Sequence, residues 1–285
     1  MTLMRENNFE GNAPLLYLIA TPIGNLSEFS SRAIEVLQQM DYIACEDTRN
    51  SGSLFAHFSI KKPLISCREF NENEKADEII ALLEEGKKVA YVSDAGYPGI
   101  SDPGQRLVAR ALEKGVKVSV VNGPNAGLCA LVASGLDTTH FTFEGFLPAK
   151  DSAAIKRLEE LKDWPHTIIF YEAPHRIGRT LEMLRDAFGA NRRACIGREL
   201  TKLHEEYIRA TLGELAGLDP ETLRGEMVIV IAGKEKEEDA SDEAIVILLK
   251  EALSSLSPKE AVKEVAKRTK AGKNRVYDLY LKNFK

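Results

Sequence analysis

Strand-like and helix-like segments alternate through the first 121 residues, and this alternation limits the folds open to the chain more than any other feature. LLYLIAT (15–21) is a short apolar run that ends at Pro22 and Gly24. SRAIEVLQQM (31–40) places Ala33, Ile34, Val36, Leu37 and Met40 near a 3.6-residue period, which predicts a helix. Strands are predicted over 41–46, 63–67, 87–93 and 116–121, with a short helix near 50–58 between the first two. A charged amphipathic helix over 72–85 stops at Gly86. Asp102-Pro103 reads as a helix N-cap and first position, opening a helix that runs to about Lys114. Five strands joined through helices predict an α/β layer with a mostly parallel sheet.

The second half keeps the α/β character, but its strands cluster late. Helices are predicted over 125–134, 152–163 and 175–188, and strands over 141–147, 167–171, 193–198, 205–211 and 226–232. That order predicts a mixed second sheet. GKEKEEDASDE (233–243) is polar and turn-rich, and three helices follow at 244–254, 259–270 and 274–284. The expected organisation is a disordered lead-in (1–13), an N-terminal α/β domain (14–122), a second α/β domain (123–233), a linker (234–243) and a basic helical module (244–285).

Charge sets the last module apart. Residues 259–285 hold nine Lys or Arg, among them Lys267, Arg268, Lys273 and Arg275, against three acids. This stretch therefore carries +6 in a chain whose net charge is −5, so the remainder stands at −11. An acidic body with a basic end points to an anionic partner. The same helices also suit a dimer-packing bundle, since their apolar and basic faces differ. The four cysteines (Cys45, Cys67, Cys129, Cys195) form no C-x-x-C pair, which argues against a disulfide framework or a cysteine zinc site and suits a reducing cytoplasm. No apolar run approaches the roughly 18–20 residues of a membrane span. The five histidines show no H-E-x-x-H spacing, and no metal is expected.

Three loops rich in Gly and Pro follow apolar strands: TPIGN (21–25), SDAGYPG (93–99) and NGPNAG (122–127). Open α/β sheets bind ligands at the carboxyl ends of their strands. None of these loops is G-x-G-x-x-G or G-x-x-x-x-G-K-[ST], which excludes the ordinary nicotinamide fingerprint and the Walker phosphate loop.

Eight motifs occur in order: TPIGNL (21–26), ACEDTR (44–49), SDAGYPGISDPG (93–104), GPNA (123–126), EGFLPAK (144–150), FYEAPHR (170–176), RELTK (198–202) and RGEMV (224–228). Together they resemble the ribosomal RNA small subunit methyltransferase I group of the tetrapyrrole methylase superfamily. SDAG-x-P with EGFLP separates this branch from porphyrin and cobalamin methylases, which carry a GDP-type loop at 93–98. The resemblance implies a two-domain tetrapyrrole-methylase-like fold and a cytoplasmic homodimer. It also implies S-adenosylmethionine-dependent methylation of the ribose 2′-hydroxyl of a decoding-region cytidine in 16S rRNA. On the family pattern, Pro22, Gly24, Asp94, Ala95, Gly96, Pro98, Asn125 and Ala126 contact the cofactor, with Tyr171 and Glu172 on its adenosine side. Two positions depart from that pattern: Tyr97 stands for a threonine and Asn122 for a proline.

A ribose hydroxyl needs a base or a strong hydrogen-bond acceptor as it attacks. The candidates are Glu46, Lys150 and Glu199, with Asp47, Lys202 and His204 also in reach of the motifs; Glu46 and Asp47 are expected as a cleft carboxylate pair. Arg49, Arg68, Lys150, His175, Arg176, Arg198 and Lys202 are candidate phosphate contacts, joined by Lys267, Arg268, Lys273 and Arg275 of the helical end. Two rival readings share these features: a small-molecule methylase acting on a tetrapyrrole, and an RNA-binding assembly factor that has lost catalysis.

Overall fold

The computed structural model describes residues 7–8, 14–235 and 240–285. The lead-in expected over 1–13 lies outside the described residues apart from Asn7 and Asn8, as does most of the charged run of the linker.

The first layer is built from β1 (Leu15–Ile19), α1 (Ser31–Gln39), β2 (Tyr42–Cys45), α2 (Thr48–His57), β3 (Leu64–Ser66), α3 (Glu72–Glu84), β4 (Val89–Val92), α4 (Gln105–Glu113) and β5 (Lys117–Val121). All five strands are parallel, in the order β3-β2-β4-β1-β5. The strands alternate as their pleat requires. Leu16, Val89 and Tyr91 pack with Ile79, Leu83 and Leu107 of α3 and α4. Ile19, Ala90 and Val92 pack on the other face with Ala33, Leu37 and Phe55 of α1 and α2. Both faces are covered, so these strands read as near-continuous apolar runs.

The second layer holds α5 (Ala126–Ser134), β6 (Phe141–Phe146), α6 (Asp151–Leu161), β7 (Thr167–Glu172), α7 (Ile177–Phe188), β8 (Arg193–Arg198), β9 (Glu206–Thr211), α8 (Leu212–Ala216) and β10 (Met227–Ile231). Its sheet runs β6-β7-β10-β8-β9 and is mixed: only β6 and β7 are parallel. α5 covers one face through Ala130 and Leu131, while the other carries the apolar sides of α6, α7 and α8.

Residues 235–285 form a separate compact unit. In it α9 (Asp242–Leu253), α10 (Pro258–Thr269) and α11 (Lys273–Phe284) bury Ile245, Leu249, Val262, Val265 and Val276 around one small core. Ser257 and Glu260 close a capping box ahead of α10, with Pro258 at its first position. The four cysteines are free thiols. No described helix is long and apolar enough to cross a membrane.

Two local expectations need correction. The five-residue helix α8 and the 3₁₀ turn at Pro220–Thr222 follow β9 where no element is predicted; each is a single turn, too short to show periodicity. The second correction bears on function. α4 starts at Gln105, not at Pro103, and Asp102 does not cap it. The cap comes from α3. Oε1 of Glu72 accepts from the backbone N–H of Gly104 (2.9 Å), Arg106 (2.9 Å) and Leu107 (3.2 Å). Gly104 sits at φ +136°, and a Cβ there would lie 3.0 Å from the Tyr91 ring and 3.1 Å from the Gly99 nitrogen, so the loop takes only glycine at this turn.

Candidate functional site

The parallel sheet ends in loops that meet the edge of the second sheet, and a cavity of about 410 Å³ lies between them. The loop after β4 bends back onto the loop after β1. Thr21 and Gly96 exchange two backbone hydrogen bonds, Thr21 N to Gly96 O at 2.9 Å and Gly96 N to Thr21 O at 3.1 Å. The Thr21 hydroxyl donates to Ser93 O at 3.1 Å. These bonds fix Ile23, Ala95 and Gly96 along one wall. The same loop continues through Tyr97, Ile100, Ser101 and Asp102, all lining the cavity. Ser101 is a non-glycine residue at φ +62°, a strained turn immediately ahead of Asp102.

The loop after β5 supplies Asn125 and Ala126. Asn125 caps α5, its Oδ1 accepting from Leu128 N at 2.8 Å. The Tyr171 hydroxyl accepts from Gly127 N at 3.2 Å, which ties the end of β7 to the start of α5. Phe143 and Phe146 stand edge-on to the Tyr171 ring, with centroids 4.9 and 5.7 Å away. Burial holds the Tyr171 phenol above its usual range, so it stays protonated. Glu172, at 2% exposure, forms part of the floor. Its Oε1 accepts from Ala173 N at 2.8 Å and its Oε2 from the Thr180 hydroxyl at 2.5 Å.

The opposite wall holds Leu200, Lys202, Glu226 and Met227. The Lys202 stem runs over Gly24, whose φ is +152°; a Cβ on Gly24 would meet Lys202 Cγ at 2.5 Å. The Lys202 ammonium reaches Glu199 at 3.0 Å and Glu226 at 3.2 Å. Burial works against its charge, but the two carboxylates outweigh burial and its pKa is raised. Lys202 therefore stays cationic and is no proton acceptor. Glu199 is likewise held below its ordinary range, its partial burial outweighed by Lys202.

Of the residues expected at the cofactor, Ala95, Gly96, Asn125, Ala126, Tyr171 and Glu172 line the cavity; Pro22, Gly24, Asp94 and Pro98 do not. Asp94 turns toward α2, accepting from Asp47 N at 3.2 Å and from the Asn50 amide at 2.6 Å. The expected Glu46–Asp47 cleft pair does not form. Asp47 caps α2 and binds Arg49 (2.7 Å) and Arg68 (3.4 Å), and the Arg49 hydrogen bonds hold its carboxyl well below the usual range. Burial, and then the charge of Asp94, raises Glu46. None of Glu46, Lys150 and Glu199 lines the cavity.

The expected phosphate contacts divide by how far they are committed. Arg176 donates to the carbonyls of Leu147 and Pro148, at 3.0 and 3.2 Å. Arg198 binds Glu206 at 2.5 Å, and Arg275 binds Asp242 at 2.7 Å. Lys150, Lys267, Arg268 and Lys273 are exposed, and the described residues offer them no ion-pair partner. Sequence reasoning missed Asp102, Phe146, Leu200 and Glu226. All four stand inside motifs already quoted; Phe146, Leu200 and Glu226 are also at or beside a strand end, and that position was the available signal.

Two α/β layers with a cavity at the carboxyl edge of the parallel one define the class. Residues 15–216 match the family model of the Tetrapyrrole (Corrin/Porphyrin) Methylases, and residues 239–283 match the RsmI C-terminal HTH domain. Solved structures agree on the fold. They include uroporphyrin-III-C-methyltransferase from Thermus thermophilus (TM-score 0.56, 21% identity, 77% of this chain and 94% of that one) and the methyltransferase CobJ (TM-score 0.59, 19% identity, 78% and 94%). The chain is 41% identical over 282 residues to a ribosomal RNA small subunit methyltransferase I of Pasteurella multocida, covering 98% of this chain and 99% of that one. It is 44% identical over 272 residues to the protein of that name in Pseudomonas aeruginosa, covering 93% and 96%. Within the tetrapyrrole methylases, the chain belongs to the ribosomal RNA small subunit methyltransferase I family.

Proposed function

We propose that the chain transfers a methyl group from S-adenosylmethionine to the ribose 2′-hydroxyl of a decoding-region cytidine in 16S rRNA. It would act in the cytoplasm as a homodimer. The observation that carries this reading is the cavity itself. Its volume falls in the range of small-molecule sites. Its walls join apolar side chains to the Gly96 and Ala126 backbone, with an aromatic wall at Tyr171 and Phe146. Asp102, Glu172 and Glu226 outnumber Lys202 around it, which suits a cationic ligand.

These residues fit the cofactor. Ala95, Gly96, Asn125, Ala126, Tyr171 and Glu172 would hold it, while Pro22, Gly24, Asp94 and Pro98 shape the loops behind them. When bound, it supplies a methyl group on a positively charged sulfur, so transfer depends on alignment more than on activation. Holding two reactants in line can contribute about 7–11 kcal/mol. The basic module at 244–285 would hold RNA through Lys267, Arg268 and Lys273, and the exposed Arg49 and Lys150 would add phosphate contacts. Arg275, paired with Asp242, would steady the module.

The test is transfer of radiolabelled methyl to small ribosomal subunits lacking the modification, followed by nucleoside analysis. Label in 2′-O-methylcytidine is expected. If subunits and free 16S rRNA both stay unlabelled while the cofactor binds, the acceptor lies elsewhere and a tetrapyrrole is the next to test. If the cofactor does not bind, the chain acts as an RNA-binding assembly factor.

A further inference from the structure

The three-helix unit at 235–285 distributes the rings of its last helix unevenly. α11 turns Val276 into the small core, and Leu279, Tyr280 and Phe284 pack against it. The Tyr280 and Phe284 rings stack, with centroids 6.3 Å apart and planes 15° from parallel. Tyr277 stands on the outer side of this run. Its ring leans on Tyr280, with centroids 6.2 Å apart, and the residue is 48% exposed. Leu281, four residues on, is 37% exposed, and Lys273 lies four residues ahead, so the three share one helix face.

The cations gather where α11 begins. Lys267 and Arg268 stand in the last turn of α10, Lys270 bends the chain at φ +56°, and Lys273 opens α11 after Gly272. Lys267, Arg268 and Lys273 are exposed, and Asp278 is the one acid of α11. An exposed ring thus follows, one helical turn on, from a group of exposed cations.

We propose that the exposed side of the Tyr277 ring is a stacking platform for one unpaired nucleobase of the RNA, with Lys267, Arg268 and Lys273 holding the adjoining phosphates. The assignment rests on the reading of the helical unit as an RNA-binding module. It adds what that module recognises, a single-stranded nucleotide rather than a duplex. A ring supported from behind by Tyr280 is fixed before the base arrives, so little side-chain freedom is lost on binding. Aromatic faces flanked by cations suit a single strand, because every base has a π-face and every link a phosphate. An RNA duplex offers such a ring less, since its major groove is too deep and narrow for side chains to read. A DNA duplex, whose wider groove admits a helix, enters the test as a competitor.

The experiment compares the full-length chain with its Tyr277→Leu and Tyr277→Phe variants. Leucine keeps an apolar side chain and favours the helix, which circular dichroism checks, while phenylalanine keeps the ring. Fluorescence anisotropy across a salt series measures binding to a labelled single-stranded RNA of about 12 nucleotides, and to RNA and DNA duplexes of that length. Methyl transfer by the wild-type chain to small subunits is followed in parallel. Tyr277→Leu should weaken single-strand binding by about 5- to 100-fold with an unchanged salt slope, because stacking releases no counterion. Tyr277→Phe should stay within about twofold of the wild type. Wild-type affinity in Tyr277→Leu would overturn the assignment. So would an equal loss in Tyr277→Phe, which would make the phenol a hydrogen-bonding group. So would a duplex of either kind that binds as tightly as the single strand and loses as much in Tyr277→Leu. A wild-type chain that methylates small subunits but binds no single strand removes the assignment and leaves the methyl-transfer reading standing. One that binds the single strand through Tyr277 but labels no subunit keeps the assignment and removes that reading.

Discussion

The phenolic O–H of Tyr97 donates to Asn122 Oδ1, and the Tyr97 oxygen accepts from Gly123 N at 3.1 Å. Tyr97 and Asn122 are the two positions expected from the sequence to depart from the family's loop pattern, and the structure joins them. The bond ties the loop after β4 to the loop after β5, so two walls of the cavity are held together by side-chain chemistry.

Removing that tie should loosen the cofactor site without unfolding the sheet. Tyr97→Phe keeps the ring and loses both hydrogen bonds, each contributing about 1 kcal/mol. Its S-adenosylhomocysteine affinity, measured by calorimetry, should weaken by about three- to tenfold. Wild-type affinity would mean that the backbone alone holds the two loops.

Gly24→Ala should act through Lys202. Its Cβ would overlap the lysine stem at a φ of +152°, displacing Lys202 from Glu199 and Glu226. The expected cost in denaturant unfolding is about 1–3 kcal/mol. Removing the stem in the double variant with Lys202→Ala should recover part of this, leaving the two changes non-additive. Strict additivity would show that backbone strain is the whole effect.

Glu72→Ala leaves three backbone N–H groups at the start of α4 without their acceptor. Glu72 is 4% exposed, so water compensates poorly and a loss of about 2–4 kcal/mol is expected. Glu72→Gln keeps an acceptor oxygen and should lose less. Equal losses in chemical denaturation would place the contribution in packing rather than in the cap.

The raised pKa of Asp102 makes a stability prediction with a definite sign. Its folded value, about 7, lies above its ordinary 3.8, so folding favours the protonated form. That contribution is complete below about pH 4 and is lost as pH rises through about 7. Asp102→Asn keeps the site neutral throughout. Its Tm should exceed that of the wild type at about pH 8, and the difference should close by about pH 4. A constant difference across that span would show that Asp102 ionises normally.

In the helical unit, Lys267→Glu, Arg268→Glu and Lys273→Glu reverse charges that no described acid pairs with. Together they should weaken RNA binding by at least about tenfold at low salt and flatten its salt dependence. Arg275→Ala removes a pair with Asp242 and should instead lower stability, by no more than about 1 kcal/mol. Filter binding across a salt series separates the two cases, since only the first alters the slope.

The alternation of strands and helices was legible because each element carries its own pattern. Leu15–Ile19 and Val89–Val92 are apolar runs of strand length, and α1 repeats Ala33 and Leu37 at helical spacing. The cavity-lining backbone at Gly96 and Ala126 was legible too, since Gly-rich turns after such strands have few other uses. α8 was not legible, because five residues show no period. The base candidates are another case: Glu46, Lys150 and Glu199 stand in the quoted motifs, but a motif does not say which way a side chain turns, and none of the three lines the cavity.

The sequence by itself determined the order of the longer strands and helices, a mostly parallel first layer, the mixed second sheet and the basic helical end. Those follow from residue periodicity, strand-end turns and charge, all properties of neighbouring residues. Only the tertiary structure decided which carboxylate is free. Asp102 has the local chemistry of a cap and Glu72 that of a surface helix, yet packing of α3 against α4 brings Glu72 to the N–H groups 32 to 35 residues away. A hydrogen-bond donor goes to the acceptor nearest in space, and in this fold that choice leaves Asp102 to the cavity.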